Sequence, residues 1–169
     1  KFFTANQKAR FVAVSPRSAV HPVDADFPYS LNTGRVRDQW HTMTRTGKTA
    51  RLAEHCPEPF AEIHPQDAAV KNIQDGALVR VFSRWVEVIL RARVSNQQQQ
   101  GSLFFPMHWN AQFASLARVD AVVNPVTDPL SGQPEFKHTA VNISPYEPAW
   151  HGFLLTRRQL DMRHVSYWV

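Results

Sequence analysis

The sequence contains only one cysteine among its 169 residues, Cys56. A single thiol excludes an internal disulfide, and it is too few for an iron–sulfur cluster or a structural zinc site held by this chain alone. It is compatible with reducing surroundings, and we expect a cytoplasmic protein. The sequence also lacks an apolar run long enough to cross a bilayer and lacks long-period repeats. It therefore predicts neither a membrane-spanning helix nor a solenoid or propeller.

The motifs of common catalytic centres are absent as well. The eight histidines are scattered and none pairs with a glutamate at helical spacing, so no metal site is predicted. There is no Gly-x-Ser-x-Gly elbow, and Cys56 has no identifiable base, so nucleophilic catalysis is not expected. The tetrapeptide at 46–49 resembles the end of a P-loop, but Thr42 stands where that loop requires its first glycine. We therefore exclude a phosphate-hydrolysing fold.

What the chain does have is an ordinary globular composition with an excess of positive charge. It is 43% apolar and 20% charged, and its length suits one domain with its own core. The 19 lysines and arginines outnumber the 14 acidic residues, giving a formal charge of +5. This favours a polyanionic partner, which charge alone leaves open between phosphate, nucleotide and nucleic acid. The apolar stretch 150–169 has no polar tail, and we expect a fragment of a longer protein.

Short apolar runs bounded by turn-forming residues dominate the chain, and their β-branched content predicts strands. Two helices are predicted, at 65–72, where a proline begins the segment, and at 110–116. The glutamine-rich tract 96–100 is interpreted as the loop of a β-hairpin. The fold class is therefore mainly β with short helices. The predicted strands are 11–14, 27–31, 77–82, 85–94, 101–105 and 138–143.

The polar stretch 31–49 offers hydroxyls, two glycines and four cations. Gly34 lets backbone amides approach an anion, Thr33 supplies a hydroxyl, and Arg35 supplies a bidentate fork for phosphate. This inventory suits a nucleotide.

Trp40 and His41 add flat surfaces for a heterocycle. An equally weighted interpretation is a solvated loop whose Trp40 fills a hole in the core.

Two further stretches carry candidate residues. In 120–137, the amide of Asn124 suits the edge of a pterin or purine, and Lys137 suits a phosphate, whereas Asp128 is more simply a turn former. In 104–110, an edge strand that runs into a helix with Trp109 in the core is favoured over a cleft wall.

Five motifs, in order, resemble the dinucleotide-binding C-terminal domain of the bacterial molybdopterin oxidoreductases, over about residues 27–145. Within that superfamily, Pro57-Glu58-Pro59-Phe60 and the Met-His-Trp segment are similar to assimilatory nitrate reductase. The five motifs are Leu31-x-Thr33-Gly34-Arg35 through Trp40-His41-Thr42, Glu62-Ile63-His64-Pro65-x-Asp67-Ala68, Asp75-Gly76, Phe105-Pro106-Met107-His108-Trp109, and Asp128-Pro129-x-Ser131-x-x-Pro134-Glu135-x-Lys137.

The resemblance implies a double-psi β-barrel, placed at 1–148, followed at 149–169 by the start of a truncated C-terminal extension. It implies a molybdopterin guanine dinucleotide cofactor (Mo-bis-MGD), with the molybdenum ligand and the iron–sulfur cluster on other parts of the parent chain. The expected partners are the rest of that catalytic chain and an electron donor, not nucleic acid. No catalytic residue is expected here, and the isolated domain is expected to be inactive.

The resemblance also implies the cofactor-binding residues. Family members often have Asn-x-Leu-Thr where this chain has 120–123, so either Asn124 or Asp120 is expected to fill the role of that asparagine. The predicted binding residues are Thr33, Gly34, Arg35, Val36, Arg37, Asp38, Gln39, Trp40, His41, Thr42, Asn124 and Lys137, with Asp120, Met107 and His108 as further candidates.

Three functional hypotheses follow. The first is the cofactor-binding module of a molybdenum nitrate reductase, and the second is the same module of a formate dehydrogenase or a related oxidoreductase. The third is a small basic barrel that binds nucleotides or nucleic acid, with Trp40 and Trp109 as stacking surfaces.

Overall fold

Six strands dominate the computed structural model, which describes residues 1–169, and they form one closed barrel. The order around the barrel is β1-β5-β2-β4-β3-β6. The predicted class, a mainly β barrel with short helices, is confirmed. The strands are β1 (Tyr29–Gly34), β2 (Phe60–Ile63), β3 (Leu78–Phe82), β4 (Glu87–Val94), β5 (Ser102–Pro106) and β6 (Thr139–Pro145).

The core of the barrel comes from the two-residue alternation of the strands. On β3, Val79 and Val81 are fully buried between half-buried neighbours, and on β5 Leu103 and Phe105 are fully buried. These side chains belong to one cluster of 23 buried residues. Each such side chain stabilises the fold by about 1.5–3 kcal/mol through its removal from water.

The pairing is mixed, and this determines which loops meet. β1 runs parallel to β5 and β2 runs parallel to β4, whereas the other four pairs are antiparallel. Consequently β1 and β5 end where β2 and β6 begin. We call this the Gly34 end of the barrel, and the opposite end, where β1 begins, the Tyr29 end.

Of the two predicted helices, the first is confirmed. It is α2 (Pro65–Val70), with proline at its start and the His64 side chain accepting a hydrogen bond from the Gln66 N–H at 3.2 Å. The helix predicted at 110–116 is wrong. The segment forms only a single turn, which closes on the Asn110 carbonyl. After that turn the Ser115 N–H donates to the Trp168 carbonyl at 2.9 Å.

The remaining helical elements are short. They are α1 (Ala50–Ala53) and two 3-10 turns, Thr46–Lys48 and Val119–Ala121. No helix is both long enough and apolar enough to span a membrane.

The predicted hairpin is also wrong, because β2 lies between β4 and β5. The glutamine-rich tract is a crossover, and the hairpin partner of β4 is β3. The missing strand, β2, has only four residues and includes a charged Glu62, so its sequence gives little strand signal. The strand predicted at 11–14 is wrong too, since that segment is exposed and unpaired.

Candidate cofactor-binding site

The parallel pairing of β1 and β5 places two loops side by side at the Gly34 end. Gly34 is in register with Pro106, and the Gly34 carbonyl accepts a hydrogen bond from the Met107 N–H at 2.8 Å. A Cβ on Gly34 would lie 2.6 Å from the ring of Phe104, so any larger residue here would require that ring to shift. Residues 35–49, which follow β1, therefore run along residues 107–118, which follow β5.

His108 ties the first of these loops together. Its ring is fully buried, and Nε2 accepts a hydrogen bond from the Val36 N–H at 3.0 Å. Nδ1 lies 2.6 Å from the His41 carbonyl oxygen, which can only accept. These partners assign a neutral ring with its proton on Nδ1. Burial lowers the pKa of His108, which agrees with this assignment.

A second contact from the same segment holds the next residue of the loop. The Asn110 side-chain amide donates to the Thr42 carbonyl at 2.9 Å. On either side of Thr42, His41 and Met43 have φ values of 43° and 60°, a region that non-glycine residues seldom occupy. The buried Met43 side chain anchors this strained turn in the core. The loop thus depends on tertiary contacts for its shape.

Two exposed side chains of the loop form a cation–aromatic pair. The Arg35 guanidinium lies 5.3 Å from the centre of the Trp40 ring, and His41 meets Trp40 edge-on at 4.7 Å. Trp40 is 58% exposed, so the interpretation in which it fills a hole in the core is wrong. A guanidinium beside an exposed indole suits a ligand that carries both a phosphate and a heterocycle.

The middle of the loop contacts the segment that follows α1. Asp38 forms an ion pair with Arg37 at 3.0 Å, and its carboxylate lies 2.7 Å from His55 Nδ1. The hydrogen bond from Arg37 lowers the pKa of the Asp38 carboxyl. No local pattern connects His55, 17 residues away, with this loop.

Gln39 is the one predicted residue of the loop with an unused buried polar atom. Its Nε2 donates to the Leu52 carbonyl at 3.2 Å, whereas its buried Oε1 has no hydrogen-bond partner. A buried acceptor without a donor costs free energy, so Oε1 marks a position where a ligand donor would be stabilising.

The loop before β6 reaches the same end of the barrel. The Thr33 hydroxyl donates to the Phe136 carbonyl at 3.1 Å, and the Lys137 ammonium donates to the Thr33 carbonyl. Lys137 is therefore placed directly beside the end of β1.

Asn124 organises this second loop from within. It is buried, and its Nδ2 donates to the Glu135 carboxylate at 3.0 Å and to the His138 carbonyl at 2.8 Å. Its Oδ1 accepts from the Val126 N–H at 3.0 Å. The amide is thus engaged by the protein itself. Asp120, the alternative for the same role, lies exposed in the 3-10 turn Val119–Ala121.

The structure thus brings residues 33–42, Met107, His108 and Lys137 together, with Asn124 behind the second loop. Sequence reasoning missed Asn110, His55 and Glu135 as residues that hold these loops. Only the register of β1 with β5 puts Asn110 beside Thr42, and no local pattern encodes that register.

Comparison with known proteins assigns this barrel to a family. Residues 29–140 match the family model described as Molydopterin dinucleotide binding domain. The chain is 45% identical over 161 residues to a nitrate reductase of Klebsiella oxytoca, a match that covers 95% of this chain and 19% of that protein. It is 36% identical over 143 residues to the F420-dependent formate dehydrogenase subunit alpha of Methanocaldococcus jannaschii, covering 85% and 20%.

Among solved structures, acetylene hydratase from Pelobacter acetylenicus shares the fold. Its TM-score is 0.61 at 18% identity, and the match covers 70% of this chain and 18% of that one. The chain spans about a fifth of the length of the curated relatives that it matches.

Proposed function

The chain belongs to the molydopterin dinucleotide binding domain family, and we propose that it is the cofactor-holding domain of a nitrate reductase. The support is its 45% identity, over nearly its whole length, to a nitrate reductase. Residues 1–148 would form the binding domain, and 149–169 would begin the next part of a larger catalytic chain.

The observation that carries the proposed site is the exposed pair of Arg35 and Trp40 on a loop fixed from behind. Arg35 would bind a phosphate of the dinucleotide, and Trp40 and His41 would pack against a heterocycle. Thr33, Gly34, Lys137 and the remaining residues up to Thr42 would line the same binding site. Asn124, Met107 and His108 would contribute to binding indirectly, because they hold the backbone of the loops in place.

The residues present fit such a group. The buried Oε1 of Gln39 has no hydrogen-bond donor in the fold, and the amino groups of a pterin or guanine would supply one. The excess of cations over the single acidic residue in 31–49 matches a pyrophosphate. When bound, the cofactor supplies the molybdenum chemistry that takes an oxygen atom from nitrate, and these residues bind and orient it. The metal's protein ligand, the iron–sulfur cluster and the electron donor would belong to the rest of the parent enzyme.

The test is the cofactor content of the full-length parent protein with Arg35→Ala. A hydrogen bond to a charged group contributes about 1.5–3 kcal/mol, so retention of molybdenum and guanine nucleotide should weaken by roughly tenfold or more. The matched control is Arg84→Ala, because Arg84 also stacks on an aromatic ring, that of Phe27 at 4.7 Å, and lies outside the loop. Unchanged content in Arg35→Ala would count heavily against the proposed site.

A second candidate is the same domain in a formate dehydrogenase, favoured by the 36% identity to such a subunit. Assays of the full-length parent with nitrate and with formate separate the two. We expect nitrate reduction without formate oxidation. Formate oxidation without nitrate reduction would assign the domain to a formate dehydrogenase instead.

A further inference from the structure

His108 is buried and does not face a ligand, yet it contacts the proposed binding loop at two points. Its ring is fully buried, and its two nitrogens join the amide of Val36 to the carbonyl of His41. We propose that His108 is a positioning residue whose neutral Nδ1–H form sets the shape of the loop and releases it on protonation. The inference rests on the proposed function, because the loop's role in binding belongs to it.

The polarity of both partners makes the protonation state decisive. A backbone amide can only donate and a backbone carbonyl can only accept. A ring protonated on Nε2, whether as the other tautomer or as the cation, turns an N–H toward the Val36 N–H. The loop must then break one bond or leave two buried donors facing each other, which is costly in an interior site.

The groups facing His108 also disfavour its cation. The charged and titratable groups that act on the ring are Arg35 and His41, and the carbonyl of His41 accepts the Nδ1 proton. Neither supplies a negative charge. Burial is the main cause of the lowered pKa of His108, and the charge of Arg35 lowers it further.

The direction of the pH effect follows from this lowered pKa. Above the ordinary histidine pKa of about 6.5, both the closed and the open loop hold a neutral ring. As the pH falls below that value, the open form binds a proton that the closed form excludes. The closed loop therefore loses stability toward acid, until the pH reaches the lowered pKa of the folded state.

The two contacts of His108 flank the ligand-facing side chains. Val36 directly follows Arg35, and His41 directly follows Trp40. Met43, two residues further on, is anchored separately in the core, and Gln39 holds the middle of the stretch through the Leu52 carbonyl. His108 holds the two ends of the stretch, next to Arg35 and Trp40. Losing the contacts should leave the loop present but less ordered, which weakens binding by raising the cost of ordering it.

The experiment compares His108→Gln with His108→Phe in the full-length parent protein. Glutamine keeps a donor and an acceptor, whereas phenylalanine keeps the ring volume and removes both bonds. The control is His164→Phe, at an exposed histidine outside the barrel. Hydrogen exchange of peptides covering 35–42 is measured in cofactor-free protein, and guanine nucleotide content is measured after cofactor loading.

We expect exchange protection in the order wild type, His108→Gln, His108→Phe, and nucleotide content in the same order. If His108 serves only for packing, phenylalanine should match or exceed glutamine, and that order would overturn the inference. The wild type gives a test that needs no variant. After correction for intrinsic exchange rates, protection of 35–42 should fall below about pH 6.5, and protection independent of pH would also overturn it.

The two proposals fail in different ways. If the wild type retains no guanine nucleotide while protection of 35–42 still depends on His108, the proposed function fails and the positioning role stands. If nucleotide is retained and the His108 variants match the wild type in both measurements, the positioning role fails alone.

Discussion

The two ends of the barrel reach their shapes by different means. At the Tyr29 end, α2 begins with its own proline and cap, and the turns at Gly76 and Gly101 use glycines with φ values of 77° and 75°. At the Gly34 end, positive φ falls on His41 and Met43, and the hydrogen bonds come from His108 and Asn110, nearly 70 residues away. The Tyr29 end adds distant contacts to these local signals, such as the hydrogen bond from the Gly101 N–H to the Asp67 carboxylate. The loop at the Gly34 end lacks such glycine turns and depends on the closed barrel for its shape.

This difference suits the proposed function. Loops that are held by the interior can present exposed side chains such as Arg35 and Trp40 without using them for stability. The Tyr29 end carries none of the proposed ligand contacts. Substitutions that affect both ends, one end or neither test this difference between the two ends.

The largest effect is expected from Phe105→Ala, which should weaken both ends together. Phe105 is fully buried on β5, the strand from which residues 107–118 depart. Removing a buried aromatic ring costs about 3–5 kcal/mol of unfolding free energy. Urea unfolding measures this loss, and Phe153→Ala, at a 93% exposed ring, should change little. A loss below about 1 kcal/mol for Phe105→Ala would show that the ends do not share one core.

Asn124→Ala should act mainly on the Gly34 end. It leaves the Val126 N–H and the His138 carbonyl without their buried partner, at a cost of about 1–3 kcal/mol. We expect lower unfolding free energy together with lower cofactor retention in the full-length protein. Asn96→Ala, in the exposed crossover, is the control. Loss of stability with full retention would separate this loop from the binding site.

Gly101→Ala should act only on the Tyr29 end. No atom lies within 4 Å of the added methyl group, so the cost is the strain of a left-handed alanine, about 1–2 kcal/mol. Cofactor retention should be unchanged. Gly152→Ala, at an exposed glycine without positive φ, provides the reference in both measurements. Reduced retention in Gly101→Ala would show that the two ends are coupled.

The smallest effect is expected from Asp38→Asn, because the contacts of Asp38 with Arg37 and His55 are screened by solvent. The lowered pKa of Asp38 means that its contribution is present above the ordinary aspartate pKa and is lost as the pH falls through the folded value. Thermal unfolding at low and high salt should show a slight, salt-sensitive change. A large loss of thermal stability that persists in high salt would mean that the contacts of Asp38 shape the loop as well as those of His108.

The fold class followed from the short apolar runs between turn signals, because five of the six strands overlap a segment that the sequence predicts as a strand. β2 was not predicted because its four residues, one of them charged, are too few to form a recognisable apolar run. The hairpin prediction failed for the same reason. Nothing near residues 96–100 reveals that β2 inserts between the strands on either side.

For the candidate site, the residue types that suit a ligand can be recognised from the sequence alone. A cation-rich loop with glycines and an aromatic pair indicates an anionic, heterocyclic ligand, and the ordered motifs identify its class. Which of these residues face outward depends on how the chain folds. Trp40 is exposed and Asn124 and His108 are buried because the parallel register of β1 with β5, and the antiparallel start of β6, bring distant loops together. Residue types carry chemistry locally, but burial and hydrogen-bond partners depend on contacts that form only when the barrel closes.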